Sequence, residues 1–220
     1  MNAFELADKI DQPDFVQLIR CFLYEQLGHC NVESTSDSSD SLPPRCQLPF
    51  FDSSISVYTS ALATFYAPSD LCGIGGMCHE RIRAISSWRG DPARYDCVLV
   101  KTDPTTQGML GLDVACVRLF FSFAFHGKFY LCALVHWFSC TGNGPDDDTG
   151  MWIVRPELHP DGSCKAAVLH IDTIVHAAHL IGVYGKDFLP KHLSPAQSLD
   201  IFQAYYVNKY IDHHSFEITF

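Results

Sequence analysis

The sequence predicts an α+β fold: an antiparallel, strongly curved sheet or partly closed small β-barrel, with a helical arm before it and a helix after it. Three observations point there. Residues 119–125 (LFFSFAF) and 129–138 (FYLCALVHWF) are long aromatic and β-branched runs, the composition of pleated strands. Both runs carry apolar weight on each face, with Phe121, Phe123 and Phe125 on one side of the first and Phe120, Ser122 and Ala124 on the other. Strands of that kind are covered on both faces. Shorter strand-like runs flank the pair, separated by Gly, Pro, Asp and Ser.

Taken in order, residues 13–27 (PDFVQLIRCFLYEQL) predict the N-terminal helix. Pro13 suits a first helical turn, and Phe15, Leu18, Ile19, Phe22 and Leu23 recur at three and four to give one apolar stripe, with Gly28 as the stop. Residues 31–45 (NVESTSDSSDSLPPR) have the composition of a linker. The expected organisation is a helical arm over 1–30, a flexible linker over 31–50 and a β-rich domain over 51–220. Strands begin near Ile55 in SISVYTSALATFYA. Residues 71–95 read as a Gly-containing loop with a short basic turn holding Arg81, Arg83, Arg89 and Arg94. CVLVK (97–101) is a short strand, and DPTTQGMLGLD leads into the long pair. Gly127, between the two runs, supplies the turn. After a polar loop, Met151-Trp152-Ile153-Val154 resumes the apolar pattern, and AAVLHID (166–172) is a further strand. Residues 173–185 read as a short helix turning into a strand, and 195–210 (PAQSLDIFQAYYVNKY) as the last helix, with Leu199, Phe202 and Tyr206 on one stripe. The expected core is an aromatic cluster of Phe121, Phe123, Leu134, Trp137 and Trp152.

At 220 residues and 47% apolar content the chain can bury a sizeable core. No apolar run is long enough to span a bilayer, so no membrane role is expected, and the mixed acidic opening is no secretory signal. A net charge of −10 repels phosphate and disfavours direct nucleic-acid binding. The ten cysteines include no CxxC pair, which argues against a zinc ribbon and for reduced, mostly buried intracellular thiols. No cofactor and no small-molecule substrate is indicated.

Four constellations could carry chemistry. His170, His176 and His179 are the metal candidates, since neutral imidazoles ligate zinc. They lack a visible further ligand, and core or hydrogen-bonded histidines are the plainer interpretation. Asp212-His213-His214 spells a phosphoesterase signature, yet stands without the companion motifs a binuclear site needs, and reads as a polar tail. Asp146-Asp147-Asp148 lacks the ligand alternation of a calcium loop and reads as a solvated acidic turn. Gly73-Ile74-Gly75-Gly76 matches no phosphate-binding fingerprint. No catalytic residue is nominated.

Four segments together carry a family resemblance. They are ISVYTSALATFYAPSDLCGIGGMCHERIRAISSWRG, YDCVLVKTDP with GMLGLDVACVRLFFSF, CALVHWF with PDDDTGMWIV, and HLIGVYG with AYYVNKYIDHHSFEI. Over roughly residues 13–220 the chain resembles the C-terminal region of proteins associated with Plavaka-type DNA transposons, relatives of the CACTA elements, in mushroom-forming fungi. In longer members a zinc finger and an RNase H-like core precede this region. Neither is present in this sequence, so no acidic catalytic triad carries over. The strand order and the VHWF-then-MWIV rhythm are similar to the small β-barrel accessory domain of CACTA-type transposases, and by fold analogy alone to bromo-adjacent-homology barrels. The resemblance implies a non-catalytic protein-interaction or structural module whose partner is the transposase core or chromatin, with a nuclear setting possible though no basic import cluster is visible. The competing expectations are a metal-dependent hydrolase built on the histidine group, and a decaying relic. Cys78, His79, Cys116 and Cys140 stand where the resemblance implies Arg. Such changes follow from single cytosine-deamination transitions and imply a copy that has lost surface arginines.

Overall fold

The two aromatic runs form the longest strands, β6 (Leu112–Phe125) and β7 (Lys128–Cys140), in a computed structural model that describes residues 1–28, 47–67, 74–87, 90, 92–184 and 197–220. His126 and Gly127 join them with φ of 48° and 76°. Two successive positive φ values make the tight turn whose twist matches that of an antiparallel pair. The register slips once, between Val117 and Leu119, leaving Arg118 as a bulge residue. A bulge bends its strand and deepens the twist, which helps the sheet curl.

Each half of this hairpin carries further strands, all antiparallel. On β6, the first half pairs with β5 (Cys97–Lys101) and the second with β1 (Ser56–Tyr58). On β7, the middle pairs with β9 (Ala166–His170) and the end with β8 (Ile153–Pro156). The sheet continues outward through β10 (Ile174–Ala178) on β5, and through β12 (Tyr205–Val207) and β11 (Leu180–Gly182) on β8. A second sheet, β2 (Ser60–Tyr66), β3 (Met77–Ile85) and β4 (Arg94–Tyr95), folds over β10. The result is the predicted α+β fold with an antiparallel, nearly closed barrel-like sheet.

The predicted N-terminal helix is α2 (Phe15–Gln26), preceded by α1 (Ala3–Lys9), whose first turn is capped by Asn2. Their stripe is no free arm. Phe15, Ile19, Phe22 and Leu23 are buried against Phe121, Phe123 and Tyr130, with the Phe15 and Phe121 rings 5.1 Å apart edge-to-face. Most of the expected linker, residues 29–46, lies outside the described residues. Its end is tied down: Arg20 donates to the carbonyls of Pro49 and Leu48 at 2.8 and 3.1 Å.

The single aromatic core resolves into three clusters on opposite faces of the sheet. Phe121, Phe123 and Leu134 lie with the helices. Trp152 belongs to a second cluster with Phe138 and Tyr205. Trp137 is half-buried at the margin of a third, formed by Ile82, Val98, Phe120 and Val135. The assignment of Trp137 to the central core is therefore corrected. Alternation along β7 puts it on the face opposite Leu134, near the strand's end, where cover is thinner.

Three predicted elements are corrected as well. Residues 173–185 hold no α-helix among those described; Ile174–Ala178 and Leu180–Gly182 are strands. The expected helix over 195–210 is one turn, α3 (Ser198–Ile201), followed by β12, because Tyr205 and Val207 are buried at a spacing of two. The last helix is instead α4 (His213–Ile218). Of the basic turn, Arg81 and Arg83 lie on strand β3, whose inward residues Cys78, Ile82 and Ala84 are buried, Arg94 lies on β4, and Arg89 is outside the described residues. Among the described residues no helix is long and apolar enough to cross a membrane.

Candidate functional site

Two features stand out around the β2–β3 sheet, and they share the β3 residues His79, Arg81 and Arg83. Inward, Ala61, Ala63 and Ile82 pack into the third cluster. Outward, the paired rows are Ser60, Leu62, Thr64 and Tyr66 on β2, and Arg83, Arg81, His79 and Met77 on β3. Leu62 and Tyr66 are 56% and 63% exposed, and Ile74, at the hairpin end beside Met77, is 94% exposed. None of these outward positions is acidic. Arg81 donates to Ser60 Oγ at 3.1 Å, Arg83 to the Arg81 carbonyl at 3.4 Å, and Thr64 Oγ1 lies 3.0 Å from His79 Nδ1. Among the described residues β2 is paired only with β3, so one edge of a seven-residue strand has no sheet neighbour.

The other feature is a cleft of about 590 Å3 between β3, β10 and the chain before α4, lined by Glu80, Arg94, Asp96, His176, Leu199 and Asp212 among others. At its floor His176 is only 2% exposed. Its Nδ1 is 2.7 Å from the Ala177 carbonyl, as a donor's would be, and 3.5 Å from Glu80 Oε2; its Nε2 is 3.6 Å from Asp212 Oδ2. Both carboxylates have closer partners. Glu80 Oε2 accepts the Ala177 N–H at 3.0 Å, and Asp212 caps α4 by accepting the Ser215 N–H at 2.7 Å. The Phe65 ring lies 4.6 Å from His176 and stacks on His214 at 4.5 Å. Burial, then the adjacent His176, lowers the proton affinity of His214. The cluster thus joins β2, β3, β10 and α4, and its closest polar contacts are spent on backbone groups.

The three predicted histidines do not act together. His179, in the link between β10 and β11, lines the same cleft as His176, but its Nδ1 lies 3.1 Å from Asn208 Nδ2, whereas the His176 ring sits against Glu80 and Asp212. His170 accepts the Asp172 N–H at 3.3 Å. Among the described residues no group of three His, Cys, Asp or Glu side chains is placed to hold a metal ion. Asp212, expected in a polar tail, is instead a cap and a neighbour of the buried imidazole. Asp146 is a turn residue, accepting from the Thr149 N–H and hydroxyl at 3.0 and 2.8 Å. Gly75 and Gly76 take positive φ in the β2–β3 hairpin, and Gly73 lies outside the described residues. Of the supposed former arginine sites, His79 and Cys140 are exposed, but Cys78 and Cys116 are buried, so loss of surface charge does not describe those two. Cys116 faces Cys97 across β5–β6, where a hydrogen bond between the thiols, then burial, holds Cys97 well above the usual thiol range.

The sequence offered a signal for the missed cleft. The alternation in CHERIRAI puts Glu80 on the apolar face with Cys78, Ile82 and Ala84, and an inward carboxylate requires a partner. No protein-family model matches the chain, and comparisons with curated proteins and with solved structures likewise give no match.

Proposed function

We propose that the chain is a non-catalytic protein-interaction module of a DNA-transposon-encoded protein that works inside the cell by binding an RNase H-like transposase core or chromatin. The outer face of β2–β3 supports this most: exposed Leu62, Tyr66, Ile74 and Met77 beside a strand edge that has no sheet partner among the described residues. Contiguous apolar surface of this kind marks interaction sites. The four sequence segments that resemble Plavaka-type accessory regions supply the class of partner.

The test mixes the purified chain with the RNase H-like core of a Plavaka-type transposase and, separately, with reconstituted nucleosomes, and follows complex formation by sedimentation. A complex that weakens by about tenfold or more in the Leu62→Asp/Tyr66→Asp double variant is the expected result. If the folded wild-type chain forms a complex with neither, the proposal fails.

A further inference from the structure

We infer that the partner contributes an extended segment that adds as a strand to the edge of β2 that has no sheet neighbour among the described residues, and that this segment carries an apolar side chain at one end and acidic side chains at the other. The inference rests on the interaction-module proposal and names the chemistry of its partner.

Exposed strand edges invite pairing, and proteins ordinarily blunt them with charge, proline or a bulge. The β2 sequence, SALATFY, has no charged residue and no proline, and its pairing with β3 runs without a register break over all seven residues. Such an edge is built to be covered. Main-chain hydrogen bonds along it would supply affinity, and side chains on alternate positions specificity.

The flanking surface then selects the occupant. The chain carries −10 overall, yet the eight outward positions of β2 and β3 include two arginines and no carboxylate. The face is graded. Tyr66 sits opposite Met77, next to exposed Ile74, at the hairpin end; Leu62 sits opposite Arg81; Ser60 sits opposite Arg83 at the far end. Six residues separate Ser60 from Tyr66, about 20 Å at strand rise. An added strand shows alternate residues to this face, so its apolar anchor and its Asp or Glu must be separated by an even number of positions, four or six. A second copy fits less well. Pairing β2 with β2 would set two cationic faces on one surface and bring two strongly acidic molecules together, with no carboxylate facing Arg81 from either side.

The experiment selects random dodecapeptides displayed on phage against the full chain and against Arg81→Glu. Amide hydrogen exchange is then measured with a synthetic winner. The expected result is enrichment of peptides with an aromatic or aliphatic residue four or six positions from Asp or Glu. Added protection should fall on residues 60–66, Leu62→Lys should weaken binding about tenfold, and Arg81→Glu should shift the preference to Lys and Arg. Arg81 is exposed, so its variant keeps the core intact. An unchanged charge preference, protection confined to other elements, winners that bind only as β2-paired dimers, or no enrichment at all would overturn the inference. Failure here is distinct from failure of the module proposal: a transposase-core complex that leaves β2 exchange unchanged sinks strand addition and keeps the module. Absence of that complex and of a nucleosome complex sinks the module.

Discussion

Phe121 and Trp137 look equivalent in the sequence, two aromatic rings in adjacent strand runs, and the structure separates them. Phe121 is 1% exposed and touches the rings of Phe15 and Phe123, whereas Trp137 is half-buried at a cluster margin. Phe121→Ala should therefore cost about 3–5 kcal/mol, and Trp137→Ala clearly less, because the cost follows lost burial and the cavity left behind. Urea denaturation of both variants checks this, and equal losses would contradict the division of the core. Phe121, Phe123, Leu134 and Trp152 were legible as buried because each sits in an apolar run. Trp137 was misplaced because burial at a strand's end depends on what arrives from elsewhere in the chain. The same limit hid the His176 cleft. Glu80, His176 and Asp212 lie far apart in sequence, and only the folding of β3 over β10 brings them together.

Among the elements, the long hairpin and the place of its turn were readable, since a tight turn between period-two runs is a local signal, although β6 begins at Leu112, well before the 119–125 run. The C-terminal helix was not. LDIFQAYYV satisfies a helical stripe and a strand alternation at once, and tertiary pairing of β12 with β8 and β11 decided between them. The helical arm was found but its attachment was not. Since α2 roofs Phe121, Phe123 and Tyr130, removing residues 1–28 should abolish the cooperative melt and expose dye-binding apolar surface. A truncated chain that melts like the whole would show the helices to be accessory.

For the molecule as a whole, acid should be the weak side. His136, on β7, has its proton affinity lowered to about 4, first by burial and then by the Arg118 charge. A histidine whose folded value lies below its unfolded value of roughly 6.5 contributes stability that is complete above 6.5 and is lost as pH falls toward 4. His136→Gln should hence retain more of its pH 7 melting temperature at pH 5 than the wild type does, and a parallel decline in both would exclude His136 as a source. The β6–β7 hairpin has a further consequence, in the order of events during synthesis. β1 and β5 have β6 as their sheet partner, and the apolar stripe of α2 covers residues of β6 and β7. Emerging at roughly 5–20 residues per second, the chain before β6 can close the β2–β3–β4 sheet and the α1–α2 pair by itself, but β1, β5 and the stripe of α2 have no template yet. Once His126, Gly127 and β7 have emerged, the hairpin closes on the order of microseconds. The waiting N-terminal segments then acquire their template within one short interval, and folding of the earlier half is timed by synthesis of the middle.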